Sequence, residues 1–148
     1  VVGRWSPHIA FTYAPEADAS DIGGIAVVNV DDGSFTQLTS DAADGSPAWG
    51  SDGRIAFVRE GDIYVMMEDG RDVTRLTDDG QSFAPAWSPD AQKIAFVSSR
   101  DAECGRWFLD QPPFCTNALY VMDADGSNVQ LLRQEEEHLG ALDWSFER

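Results

Sequence analysis

The sequence predicts an all-β chain built from repeated four-stranded units, and three observations carry that prediction. One phrase is spelled nearly three times. Pro47-Ala48-Trp49-Gly50-Ser51-Asp52-Gly53-Arg54-Ile55-Ala56-Phe57-Val58 returns as Pro85-Ala86-Trp87-Ser88-Pro89-Asp90-Ala91-Gln92-Lys93-Ile94-Ala95-Phe96-Val97. A diverged copy opens the chain as Arg4-Trp5-Ser6-Pro7-His8-Ile9-Ala10-Phe11-Thr12. The tryptophans of this phrase, Trp5, Trp49 and Trp87, are followed by Trp144, at spacings of 44, 38 and 57 residues. A period near 40 residues with strand–turn–strand content is the mark of propeller blades. Finally, no stretch carries a helical apolar period.

Each unit reads as four short strands. In the second unit Ala48-Trp49 begins the first strand, Ile55 to Arg59 form the second, Asp62 to Glu68 the third and Val73 to Thr77 the fourth. Ile, Val, Phe, Tyr and Thr dominate these runs, while Gly, Asp, Ser and Pro fill the gaps. Ser51-Asp52-Gly53 and Ser88-Pro89-Asp90 carry turn chemistry: proline presets φ, aspartate bonds back to nearby N–H groups, and glycine accepts positive φ. Asp31-Asp32-Gly33, Glu68-Asp69-Gly70 and Asp123-Ala124-Asp125-Gly126-Ser127 are expected as hairpin turns between third and fourth strands. Ile55-Ala56-Phe57-Val58 and Ile63-Tyr64-Val65-Met66 are apolar on both faces, which suits sheets sandwiched between neighbouring blades. A tryptophan repeated in every unit is expected to pack between blades, a ligand-stacking role being the competing use. The blades are placed at residues 1–40, 45–78 and 83–133, in one domain covering 1–148, with an extra strand at 140–146.

With Pro-Ala-Trp-Ser-Pro-Asp, Lys-Ile-Ala-Phe-Val-Ser-Ser-Arg and Leu-Tyr-Val-Met-Asp-Ala-Asp-Gly-Ser-Asn, residues 85–128 resemble the repeat of TolB-type, WD-repeat-like β-propellers. The resemblance runs over essentially the whole chain and is sharpest in the second and third units. The first unit departs from it. His8 stands where an Asp or Gly of the turn is due, and Pro15 to Gly24 form a longer acidic insertion. The resemblance implies a bacterial, exported propeller of six or seven blades, serving as an interaction platform or as a gating domain fused to a peptidase.

Propellers close their rings with four to eight blades. Three blades plus the strand Ala141 to Phe146 therefore make half a propeller, or a fragment of a six- to eight-bladed ring. An open arc leaves apolar faces on its end blades, which need a partner. The chain is read as part of a longer propeller, as an arc that other chains complete, or as one of two arcs closing a six-bladed ring about a two-fold axis. The two-arc ring is favoured, and in it the strand around Trp144 would displace or mimic the partner's first strand around Trp5.

Ten Lys+Arg against 26 Asp+Glu give a net charge of −16. A field of that sign repels nucleic acid and anionic membrane surfaces, so neither is an expected partner. No run of eighteen apolar residues exists to span a bilayer. The acidity serves solubility and turn formation, and with a single lysine, Lys93, it also suits a salt-rich habitat. Cys104 and Cys115 bracket an insertion between the second and third strands of the third unit. They read best as a disulfide in an oxidising compartment, periplasmic or extracellular, with free thiols as the plainer alternative. Zinc would need two further ligands that the distant histidines do not supply.

The stapled insertion is the expected binding loop, because it offers Arg106, Trp107, Phe108 and Phe114, the residue types that dominate interface hot spots. The competing role for these aromatics is covering their own blade's edge. Asp123 and Asp125 resemble part of a calcium loop, but the twelfth position is Gln134 where a bidentate Glu is required, so they are weak candidates and no metal is assigned. Serine-elbow, zincin and phosphate-loop motifs are absent from the sequence. The expected function is a non-catalytic scaffold binding protein or peptide without a cofactor. The alternative is the substrate-gating propeller of a larger peptidase or polysaccharide-acting enzyme.

Overall fold

The computed structural model describes residues 7–14, 23–101, 104–105, 114–115, 117–135 and 142–145. Among them there is no helix, and the strands form three antiparallel sheets that pack face to face, plus a small hairpin. Blade 1 contains β1 (His8–Tyr13), β2 (Gly24–Asn29) and β3 (Phe35–Gln37) in the order β1-β2-β3. Its innermost strand, expected around Trp5, lies outside the described residues. So does most of the acidic insertion.

Blade 2 is the complete four-stranded unit: β4 (Asp44–Trp49), β5 (Arg54–Arg59), β6 (Asp62–Met67) and β7 (Thr74–Arg75). Blade 3 repeats it with β8 (Ser82–Trp87), β9 (Lys93–Ser98), β12 (Asn117–Asp123) and β13 (Gln130–Glu135). Between β9 and β12 rises the hairpin of β10 (Cys104–Gly105) and β11 (Phe114–Cys115). The β5–β6 turn is short because Glu60 and Gly61 both hold positive φ, 51° and 80°, as a tight hairpin turn with the twist of its strands requires.

Trp49 ends its strand instead of beginning it. Asp44 and Gly45 already pair with Arg59 and Val58, and the ladder then skips to Ala48 opposite Ala56. The skip is a bulge with Ser46 at φ 51°, repeated in blade 3 with Ala84 at φ 52°. Each bulge precedes a proline, whose missing N–H leaves no ladder bond to lose. The strand foreseen around Trp144 makes no ladder over 142–145. An inner strand needs a second strand of its own blade, and no described strand follows it.

Two apolar seams hold the blades together. Ala10, Ile25, Val27 and Leu38 of blade 1 meet Trp49, Ile55, Phe57, Tyr64 and Met66 of blade 2. Ala48, Ala56, Val58, Ile63, Val65 and Leu76 of blade 2 meet Trp87, Ile94, Phe96, Tyr120 and Met122 of blade 3. Both faces of blade 2 are thus buried, which is why its strands are apolar without alternation.

Candidate interaction surface

The recurring tryptophan is an inter-blade latch. Trp87 is 7% exposed, and its indole N–H donates to the Ala48 carbonyl of blade 2 at 3.1 Å. Trp144 repeats the gesture one blade on, donating to the Ala86 carbonyl at 3.0 Å. A cationic or imidazole side chain from the preceding blade covers each of the first two rings. The Arg54 guanidinium lies 4.6 Å over Trp87, and the His8 ring stacks on Trp49 at 6.3 Å. A groove of about 1120 Å³ passes His8, Trp49, Trp87 and Trp144, with Glu68, Asp69 and Asp143 in its walls. One ring face of Trp49 and one of Trp87 are already taken, so the groove is lined by seam residues engaged with each other.

Buried charges are tied down in the same repeated manner. Arg59 grips both carboxylate oxygens of buried Asp44, at 2.6 and 2.8 Å, while lying against Phe57 and Tyr64. Arg100 does the equivalent in blade 3, bonding Asp79 and the Ser82 and Ser98 hydroxyls over Phe96 and Tyr120. Burial pushes Asp62 up, but the Gly80 N–H, Arg75 and the Thr77 hydroxyl together pull it below its ordinary value. Burial also leads the shift at Tyr120, whose hydroxyl donates to Asp101, and takes it up to about 12. Each of these groups faces a partner in its own or an adjoining strand or turn, so they serve the fold.

The expected binding loop is only partly visible. Arg106, Trp107 and Phe108 lie outside the described residues, and Phe114 is placed by its backbone in β11. That backbone sets Cys104 directly opposite Cys115 in the β10–β11 ladder. Asp123 and Asp125 are hairpin-turn residues, as their sequence context suggested. Asp123 accepts from the Lys93 ammonium and the Asn128 amide, and Asp125 from the N–H and hydroxyl of Ser127. The chain's own donors thus use these carboxylates.

The surface that sequence reasoning did not single out is the outward face of blade 1. Ile9, Phe11 and Tyr13 of β1, Ala26 and Val28 of β2 and Phe35 of β3 share it, by their register. Phe35 touches both neighbours, with ring centroids 6.1 Å from Phe11 and 5.2 Å from Tyr13. Ile9, Phe11, Ala26 and Val28 are the blade 1 counterparts of Ile55, Phe57, Tyr64 and Met66 in the seam of blade 2. Ile55 and Ile94 are fully buried by the blade before them, whereas Ile9 is 55% exposed; Phe35, 50% exposed, matches Val73 and Val129, which are exposed as well. The signal was in the repeat: Ile9-Ala10-Phe11 copies Ile55-Ala56-Phe57, so whatever buries the latter pair is due on the former.

No family model and no curated protein sequence matches this chain. Solved structures do. A protein from Agrobacterium tumefaciens assigned as TolB is 26% identical, with a TM-score of 0.69 over 88% of this chain and 47% of that one. TolB from Acinetobacter baumannii is 21% identical, with a TM-score of 0.62 over 85% and 29% of the two chains. The acylaminoacyl peptidase of Pyrococcus horikoshii is 17% identical, with a TM-score of 0.58 over 89% and 23%. The fold is a TolB-like β-propeller arc, and the chain spans about half the length of the Agrobacterium protein.

Proposed function

We propose that this chain is a non-catalytic, protein-binding propeller module of an exported bacterial protein, periplasmic or extracellular. The observation that carries the proposal is the outward face of blade 1, where Ile9 is 55% exposed while its repeat copies Ile55 and Ile94 are fully buried. Apolar surface of that kind, rimmed by an acidic protein, marks an interaction site. The Cys104–Cys115 juxtaposition supports the exported reading, because cross-strand cysteines closing a loop are suited to a disulfide. The loop that they bracket, with Arg106, Trp107, Phe108 and Phe114, is a second contact region.

The experiment is selection of binders from a displayed library of peptides and small domains, followed by affinity measurement on Ile9→Asp and Phe35→Asp. Binders that lose at least tenfold on either variant support the proposal. Binders indifferent to both would refute the role given to this face. The gating alternative draws on the likeness to the peptidase propeller. An adjoining hydrolase segment with a serine elbow in the same reading frame would favour it.

A further inference from the structure

His8 and Arg54 hold the same place in their blades, one residue before Ile9-Ala10-Phe11 and Ile55-Ala56-Phe57. Each reaches onto the tryptophan of the next blade, His8 onto Trp49 and Arg54 onto Trp87. An arginine stays charged throughout, whereas an imidazole takes up its proton between about pH 5 and 8. We infer that His8 is a pH-sensitive clasp, which tightens the seam between blades 1 and 2 when it is protonated. The inference is independent of the outward face of blade 1. His8 alternates with Ile9 along β1 and shares the opposite face with Ala10, which packs in that seam.

Three features of the site give the proton its effect. The His8 ring lies 6.3 Å from the Trp49 ring with 20° between their planes, near the outer limit of about 6 Å at which an indole face draws a cation. His8 is exposed, so water reaches the imidazole directly. Carboxylates around it outnumber cations. Asp32 faces it from the β2–β3 turn, Glu68 and Asp69 from the β6–β7 turn, and Asp143 across the groove, while Asp52 stands in the β4–β5 turn. The cations of those turns, Arg54 and Arg71, are held by Asp52 and Asp69. The Ser34 N–H and hydroxyl keep Asp32 below its ordinary value, and Arg71 does the same for Asp69. Both therefore remain charged over the range in which an imidazole titrates.

The clasp acts on more than one ring. The Val30 N–H donates to the Pro7 carbonyl at 2.6 Å, so the β2–β3 turn is tied to the residue before His8. A firmer hold on Trp49 thus steadies that turn and the start of β1 against blade 2 together. In the next seam the same duty is fixed. Arg54 lies 4.6 Å over Trp87 and donates to the Ala91 and Ala124 carbonyls of blade 3, at 3.1 and 3.5 Å. Because the proton favours the closed seam, the added stability is present at low pH and is lost as pH rises through the imidazole's titration. For an exposed ring pair at this spacing the effect is about two- to fivefold in the folding equilibrium.

The test joins proton resonance to urea unfolding, both on the full chain between about pH 5 and 8. The Trp49 indole N–H is followed beside the His8 ring protons, which are told from those of His138 by their loss in His8→Gln. The inference expects the Trp49 signal to move with the His8 ring in wild type and to stay still in His8→Gln and His8→Arg. It also expects the wild-type folding constant, relative to His8→Gln, to rise about two- to fivefold as pH falls across that range. The margin of His8→Arg over His8→Gln should not change with pH, because its charge is permanent. A Trp49 signal indifferent to pH in wild type, or one that still titrates in His8→Gln, would overturn the inference. An equal margin of wild type over His8→Gln at both ends of the range would overturn it as well.

Discussion

Gly61 sits where two blades touch, and replacing it measures how tightly. It holds φ +80° in the β5–β6 turn, and a Cβ built there would lie 2.3 Å from the Gly80 carbonyl oxygen and 2.6 Å from its carbon. Both atoms belong to the backbone of the connection into blade 3, so neither can swing away as a side chain would. Gly61→Ala therefore combines a left-handed backbone penalty of about 1 kcal/mol with a forced shift of the connection. The shift disrupts the bond that the Ser82 N–H donates to the Gly61 carbonyl at 2.6 Å, worth about 1 kcal/mol. The total loss is roughly 2–4 kcal/mol. Gly33→Ala is the control. Gly33 holds φ +72° with no heavy atom near its missing Cβ, and its substitution costs only about the backbone penalty of 1 kcal/mol. Lost freedom of the unfolded chain offsets both variants alike and cancels in the difference. Urea unfolding of the two variants beside wild type, analysed by linear extrapolation, reads the difference directly. A gap of at least about 1 kcal/mol is expected; equal losses would mean that the blades do not approach at this turn, and the seam described above would be wrong.

Other predictions follow from the same geometry. Trp87→Phe removes the latch to Ala48 and the ring under Arg54, and should destabilise by about 2 kcal/mol in the same urea assay. Tyr120 is raised to about 12 against an ordinary 10.0, so the stability it supports is complete below about pH 10 and drains as pH climbs toward 12; phenolate absorbance should show one of the three tyrosines titrating late or together with unfolding. Asp62 is lowered from 3.8, so its contribution is present above that pH and lost as pH falls through the lower folded value. Asp62→Asn should therefore lower stability at neutral pH and flatten the acid limb of the stability curve. Intact mass of the non-reduced chain should be two hydrogens below that of the reduced form, and Cys104→Ser should lower stability by roughly 2–4 kcal/mol under oxidising conditions. Free thiol at both cysteines in oxidised protein would remove the support they lend to export.

The repeat made the architecture legible because a blade is a local object. Trp49, Ile55, Phe57 and Tyr64 recur as Trp87, Ile94, Phe96 and Tyr120, and the same residue at the same offset builds the same seam. The strand limits were less legible. Ala48-Trp49 was expected to begin its strand, yet the pairing starts at Asp44, whose carboxylate Arg59 grips in a contact across the sheet. The Trp latch was legible in outline, but the carbonyl that receives each indole N–H belongs to the preceding blade and cannot be read from local pattern. The loop aromatics drew attention because hot-spot residues are conspicuous in composition. Ile9 is an ordinary strand residue, and only exposure distinguishes it from its buried copies Ile55 and Ile94.

That contrast bears on how a repeated fold acquires a binding surface. Within the described arc, every apolar blade face is made for another blade, so the outward face of blade 1 needs no new chemistry to serve as an interface. Blade 1 differs from its siblings in one further respect. Arg59 and Arg100 lie over the aromatic pairs Phe57–Tyr64 and Phe96–Tyr120, but at the register position of Arg59 blade 1 carries Tyr13. An arginine there would place a charge on the open face, hydrated in the free chain and costly to bury in a contact. Tyrosine supplies area with little loss of freedom and can join an interface without that cost. Tyr13→Arg should therefore leave the fold intact while weakening the binders selected on this face at least tenfold, and affinity measured beside wild type reads it. Unweakened binding would show that the neutral face is a consequence of drift in the first repeat and not the property that the contact depends on.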